Sequence, residues 1–255
     1  MKIFSVAGYH HTGKTTVVVN LIKELRKRGY TVASIKDIHA ENFSMEKIGS
    51  NSWKHWEASQ NTVFARGLKE TYQIWHEQLS LQEMLSKLDT DWVVVEGMKS
   101  AALPRIICAQ DESQLDELLD DTVFAISGKF ANQKNSYKNL PVFEVEKDIS
   151  ALTDLVEKKV FSVLPLPKDE CCGECGLSCY EMTGAILQGK RSREECRTDR
   201  RLKVKIQLNG KQLDIVPFVQ NTLKDIILAY LQNLKGFKKD SKISIEIDDL
   251  SLIHI

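Results

Sequence analysis

Along the first 160 or so residues, short apolar runs alternate with stretches in which apolar side chains return every three or four positions. Lys2–Ala7 reads as a strand and Lys14–Arg28 as a helix that Gly29 ends. Thr31–Lys36 is the next strand, followed by a polar loop through Ser52. Trp53–Ser59 predicts a short helix, Thr62–Arg66 and Tyr72–Trp75 predict strands, and Leu81–Leu88 is amphipathic. Asp91–Glu96 contains Trp92-Val-Val-Val, the continuous apolar run of a strand covered on both faces. Arg105–Ala109 and Thr122–Ser127 predict two further strands, and Asp148–Phe161 a closing helix. Such alternation predicts an α/β fold: a mostly parallel sheet sandwiched between two helical layers, with ligands at the carboxyl ends of the strands.

The pattern changes after residue 163. Leu164-Pro-Leu-Pro-Lys168 is a stiff linker, because each proline disfavours helix at the residue before it. A cysteine-rich stretch follows, with a helical pattern after Cys179. From Leu202 the pattern is a strand to Leu208, an Asn209-Gly210 hairpin turn, a second strand to Phe218, a helix over Asn221–Leu234 and a last strand over Lys242–Ile247. The expected division is therefore 1–163 as an α/β domain, 168–199 as a small four-cysteine domain and 202–255 as a small α+β domain. Nothing catalytic is visible in the last.

Composition narrows the classes of partner. Lys plus Arg (35) equals Asp plus Glu (35), so no overall field draws the chain to nucleic acid or to an anionic membrane. No apolar run approaches the roughly 18 residues of a spanning helix, and the opening apolar stretch is too short for a secretory signal. A cytosolic protein is expected.

The segment Gly8-Tyr-His-His-Thr-Gly13-Lys14-Thr15 satisfies G-x-x-x-x-G-K-[ST] between a predicted strand and a predicted helix. In such a loop successive backbone N–H groups turn inward around a phosphate, and the helix N-terminus adds partial positive charge. Gly8, His11, Thr12, Gly13, Lys14, Thr15 and Thr16 are the candidate nucleotide contacts. Lys14 supplies a point charge to the β- and γ-phosphates, and the Thr15 hydroxyl can ligate Mg²⁺. A partner acid belongs at the end of another apolar strand. Glu96 fits, holding Mg²⁺ through water or orienting the attacking oxygen, and Asp37 is a second candidate. His39, His55 and His76 show no partner at metal spacing and read as structural or exposed, while Lys99 and Arg105, after the turn at Gly97-Met98, could reach an anionic ligand but read first as solvated charge. The guanine-reading tetrapeptide Asn-Lys-x-Asp is absent, and Ser127-Gly128-Lys129 could line a base pocket.

Cys172-x₂-Cys175-x₃-Cys179-x₁₆-Cys196 offers four thiolates, with Gly173 and Gly176 giving the backbone room to turn. Three clustered cysteines and one distant cysteine suit a [4Fe–4S] cluster; tetrahedral Zn²⁺ is the alternative, and disulfides or thiols stay open. Cys171 is a spare thiol or an alternative ligand.

Together these segments carry a resemblance. Gly8–Thr15, Ser34-Ile-Lys-Asp-Ile-His39, Gly49-Ser-Asn-Ser-Trp53 and Val94-Val-Glu96-Gly97-Met-Lys99 resemble the molybdopterin-guanine dinucleotide biosynthesis protein B family, MobB, over roughly the first 160 residues. The resemblance implies a P-loop NTPase-type fold that binds GTP and Mg²⁺, hydrolyses GTP slowly, and assists the molybdenum cofactor guanylyltransferase acting on molybdopterin. A client molybdenum or tungsten enzyme and a homodimer are further options it implies. It gives Lys14 and Glu96 the catalytic roles, and Lys36, Asp37 and His39 the loop beside the nucleotide. Asn51 stands where the family's Gly-x-Asp-Ser segment has Asp. The string Cys172 to Met182 with Cys196 also looks like the small iron–sulfur domain of electron-transfer and corrinoid proteins. The runner-up function is a P-loop ATPase for metal-centre insertion or electron donation, although Tyr9 stands where that class has a second lysine.

Overall fold

The opening apolar run folds as strand β1 (Lys2–Gly8), whose alternate side chains face opposite layers. The computed structural model describes residues 1–40, 43–165, 175–196, 206–208, 211–213, 217–237 and 243. Two units emerge from its contacts, Met1–Thr198 and Asp199–Ile255.

In the first unit β1 is followed by α1 (Lys14–Lys27), β2 (Val32–Lys36), α2 (Asn51–Ser59), β3 (Val63–Arg66), β4 (Thr71–Ile74), α3 (Leu81–Ser86) and β5 (Trp92–Glu96). Then come β6 (Arg105–Cys108), α4 (Glu112–Leu118), β7 (Val123–Ser127), the two-residue strands β8 (Ser136–Tyr137) and β9 (Leu140–Pro141), α5 (Val145–Lys159) and α6 (Cys179–Leu187). Five strands form one parallel sheet in the order β2-β5-β1-β6-β7. β1 lies between β5 and β6, so the connections diverge at its carboxyl end. That is the crevice where parallel sheets bind ligands.

Both sheet faces are covered, which is why β5 and β7 are buried along their whole lengths. On one face Phe4, Val6, Trp92 and Val94 pack with Val17, Leu21 and Leu25 of α1 and Leu152 and Val156 of α5. On the other, Ala7, Ile107 and Ile126 meet Leu115 and Leu118 of α4, and Ile3, Val93 and Val95 meet Leu85 of α3. Each fully buried aliphatic side chain contributes about 1.5–3 kcal/mol.

Several boundaries differ from the sequence reading. α2 starts at Asn51, two residues early, because the Ser50 side chain accepts the Trp53 N–H at 3.1 Å and caps it. α5 starts at Val145 and carries a kink at Asp148. α4 was not anticipated.

The segment bearing Cys179 packs within the first unit. A capping box from Ser178 and Glu181 starts α6. The Thr183 hydroxyl then donates to Ala102 O at 3.1 Å, and Gln188 to Asp121 at 2.6 Å. Arg105 fastens this seat. It is 3% exposed, not a solvated charge as expected. Its guanidinium donates to the Thr122 hydroxyl at 2.7 Å, to Asp120, to the Tyr180 hydroxyl and to the carbonyl of Lys99. Two histidines also have partners unseen in the sequence. His76 Nε2 lies 2.9 Å from Glu46 and stacks on Trp56, and His39 Nε2 lies 3.0 Å from Asp37.

In the second unit β10 (Ile206–Leu208) and β11 (Lys211–Leu213) pair antiparallel, and α7 spans Pro217–Leu231. The expected strand to Phe218 ends earlier, since Pro217 opens the helix, a position its fixed φ suits. The strand expected over Lys242–Ile247 lies outside the described residues apart from Ile243. Among the described residues no helix is long and apolar enough to cross a membrane.

Candidate functional site

β1 delivers the chain into a tight turn at Gly8, and α1 leaves it at Lys14. Gly8 has φ +151° and lies against β6: a Cβ there would sit 2.0 Å from the carbonyl oxygen of Cys108. The far wall is Gly128 (φ +78°), where a Cβ would approach Thr12 O to 2.3 Å. Hydrogen bonds fix the loop between these walls. The Thr12 hydroxyl donates to Tyr9 O at 2.9 Å, and Lys129 N to Thr12 O at 3.1 Å. A cavity of about 350 Å³ opens above, lined by His11, Thr12, Gly13, Lys14, Thr15, Thr16 and Lys129.

The charged groups converge there. Lys14 Nζ donates to the carbonyl of Tyr9. Burial holds its ammonium below the usual lysine range, with Lys99 and Lys36 adding repulsion and Glu96 opposing it. Lys99 Nζ lies 4.0 Å from the centre of the Tyr9 ring, whose hydroxyl donates to Glu117. The Thr15 hydroxyl donates to Glu96 Oε1 at 2.9 Å, and Lys36 Nζ lies 3.3 Å from that oxygen. Glu96 is 9% exposed, so it is no solvated strand-end carboxylate. Beneath the loop the Cys108 thiol is fully buried, and burial pushes it up to about 12.

The structure thus brings together Gly8, His11, Thr12, Gly13, Lys14, Thr15, Thr16, Lys36 and Glu96. Asp37 and His39 lie next to them: Asp37 accepts the Met98 N–H at 3.2 Å, and both line a groove of about 970 Å³ with Met98, Lys99 and Ser100. The sequence reading missed Lys99 and Tyr9 as a pair, the support from Cys108, and Lys129 as a lining residue of the phosphate loop. Position after a buried strand was the available signal for Lys99 and Lys129.

Cys175, Cys179 and Cys196 are not among the residues that line this cleft. Cys179 and Cys196 belong to a cluster with Leu164, Leu177 and Met182, and Cys196 is 5% exposed. Cys175 Sγ lies 3.4 Å from Leu177 O. Cys172 and Cys171 lie outside the described residues. Among the described residues no three His, Cys, Asp or Glu side chains are gathered as a metal site requires.

A family model described as "MobB: Molybdopterin guanine dinucleotide synthesis protein B" matches residues 3–129. A protein of Methanocaldococcus jannaschii is 27% identical over 256 residues, covering 97% of this chain and 98% of its own length. Its description as a molybdopterin-guanine dinucleotide biosynthesis adapter protein is provisional. The molybdopterin-guanine dinucleotide biosynthesis adapter protein of Haemophilus influenzae is 32% identical over 136 residues, 50% of this chain and 75% of that protein. The crystal structure of Bacillus subtilis MobB aligns with 64% of this chain and 100% of its own at 20% identity, with a TM-score of 0.49.

Proposed function

Because the chain belongs to the molybdopterin guanine dinucleotide synthesis protein B family, we propose that it is an adapter protein of molybdopterin guanine dinucleotide biosynthesis that binds GTP with Mg²⁺. The observation that carries this reading is the meeting of Thr15, Glu96 and Lys14 at one end of the phosphate loop. Thr15 and Glu96 present a hydroxyl and a carboxylate to one another, hard oxygen donors that suit Mg²⁺. Bound there, the metal supplies charge neutralisation across the β- and γ-phosphates.

This chain's own groups do the rest. The loop's backbone amides and Lys14 hold the polyphosphate, and Glu96 orients water toward the terminal phosphorus. Among the described residues the cations around the cleft are Lys14, Lys36, Lys99 and Lys129, whereas Arg105 is buried and engaged away from it. Lysines act as point charges and lack the planar fork of a catalytic arginine. Slow turnover is the expectation from that arrangement. The partners in this reading are the guanylyltransferase and molybdopterin, with a cytoplasmic setting.

The reading extends to the cysteines. Cys172, Cys175, Cys179 and Cys196 are the proposed ligands of a [4Fe–4S] cluster, with Zn²⁺ as the alternative, in a four-cysteine domain between the nucleotide domain and the C-terminal one. In support, Cys179 and Cys196 enter one hydrophobic cluster from opposite ends of the segment. Iron, sulfide and zinc analysis of anaerobically purified protein decides among them.

Titration calorimetry with Mg²⁺ tests the nucleotide reading. GTP is expected to bind in preference to ATP, and Lys14→Ala to lower affinity by at least about 100-fold, a loss of roughly 3 kcal/mol. A preference for ATP would point to the metal-centre ATPase instead, and unchanged GTP affinity in Lys14→Ala would reject the loop assignment.

A further inference from the structure

Lys36 ends β2 directly opposite Glu96 of β5 in the parallel register. Their side chains therefore leave the sheet in one row, on the face that α1 covers. There the ammonium of Lys36 lies 3.3 Å from Glu96 Oε1, the same oxygen that accepts the Thr15 hydroxyl at 2.9 Å. One carboxylate oxygen thus serves two donors. The Glu96 side chain is 11% exposed and fixed by its strand, whereas that of Lys36 is 57% exposed on a flexible stem. Lys36 is the partner able to move. A lysine and a divalent cation on one carboxylate oxygen would repel each other across a few ångströms of low-dielectric cleft. Metal binding at Thr15 and Glu96 therefore displaces Lys36, and a phosphate held in the loop is the nearest new anion for its charge.

Resting on the reading of this cleft as a magnesium–GTP site, the geometry points to Lys36 as a counter-ion that exchanges between Glu96 and the terminal phosphate. With no triphosphate present, Lys36 neutralises Glu96. When a triphosphate and its metal bind, the ammonium transfers to the γ-phosphate and the carboxylate turns to the metal. A diphosphate has no γ-phosphate to receive it, so Lys36 stays on Glu96 and opposes the metal. The residue then makes the site discriminate between triphosphate and diphosphate, a property that phosphate-loop amides alone do not provide. Lys14 and Lys99 are also held by protein acceptors, the Tyr9 carbonyl and the Tyr9 ring, so these two ammonium groups, like that of Lys36, are engaged before a ligand arrives.

The test compares wild type with Lys36→Met and Lys36→Arg, with melting curves to establish that all three fold. Dissociation constants for GTP and GDP are measured with Mg²⁺ and with EDTA, and Mn²⁺ binding without nucleotide is followed by electron paramagnetic resonance. The expected result is that Lys36→Met lowers the GTP-over-GDP ratio in Mg²⁺ by roughly tenfold or more, the loss of one charge-assisted contact. With EDTA the ratio is expected to change little, and Lys36→Arg to restore part of it. Mn²⁺ should bind Lys36→Met more tightly than wild type in the absence of nucleotide, since Glu96 has lost its competitor. An unchanged ratio, equal weakening of both nucleotides, or unchanged Mn²⁺ affinity would each overturn the exchange. If wild type binds no nucleotide at millimolar concentration, the underlying function fails, and the Mn²⁺ arm still decides whether Lys36 and metal compete for Glu96.

Discussion

Gly8 and Gly128 bracket the phosphate loop because backbone atoms stand where their side chains would be. The carbonyl of Cys108 and that of Thr12 cannot yield as the end of a flexible side chain could. Gly8→Ala is therefore expected to destabilise the first unit by about 1–3 kcal/mol, through overpacking at a strained φ. That lowers the melting temperature by roughly 2–4 °C per kcal/mol for a chain of this size. A melting point equal to wild type would mean the loop has room to spread. Cys108 gives a second prediction. Burial pushes its thiol from the ordinary value of 9.0 up to about 12, so native protein keeps it protonated at neutral pH. Iodoacetamide mapped by mass spectrometry should label Cys108 only after unfolding. The folded value lies above the unfolded one, so its stability contribution is whole below about pH 9 and fades as pH rises toward 12. At this scale the sequence showed Lys14, Thr15 and Glu96 clearly, since a loop motif and a strand end are local patterns. It hid the burial of Arg105 and the pairing of His76 with Glu46, because each depends on residues brought close only by the fold.

Secondary-structure elements were legible in proportion to how many buried positions each repeats. β1, α1 and β5 carry long apolar patterns and were found within a residue or two. α4 buries only Leu115 and Leu118, too few for a period, and its Asp111 cap was the single available clue. α6 is held in place by a polar seat, and the sequence offers no periodic signal for that. Replacing Arg105 with Met tests the seat. The change removes the donors to Thr122, Asp120 and Tyr180 and leaves Asp120, whose side chain is 33% exposed, without its cation. A loss of about 2–3 kcal/mol is expected, below the upper values for buried pairs because Asp120 keeps some water. Faster alkylation of Cys179, relative to wild type, should accompany it. Unaltered reactivity would place the anchoring of the helix elsewhere.

At the scale of the whole molecule, the sheet order β2-β5-β1-β6-β7 sets β1 between its two neighbours and opens the crevice above it. Alternation of elements gave the fold class, but order within the sheet depends on crossovers whose destinations leave no local mark. With as many acidic as basic residues, the positive charge of the cleft comes from lysines gathered at one point, not from an overall field. Arg105 ties the carbonyl of Lys99, whose ammonium rests on the Tyr9 ring, to the hydroxyl of Tyr180 on the cysteine-bearing helix. A relative without this helix would have to satisfy a sunken guanidinium by other means or do without it. Inheritance should record that dependence. Across an alignment, arginine and tyrosine at these two columns ought to be gained and lost as one character, and arginine persisting where the tyrosine's whole segment is missing would show that the clasp is dispensable.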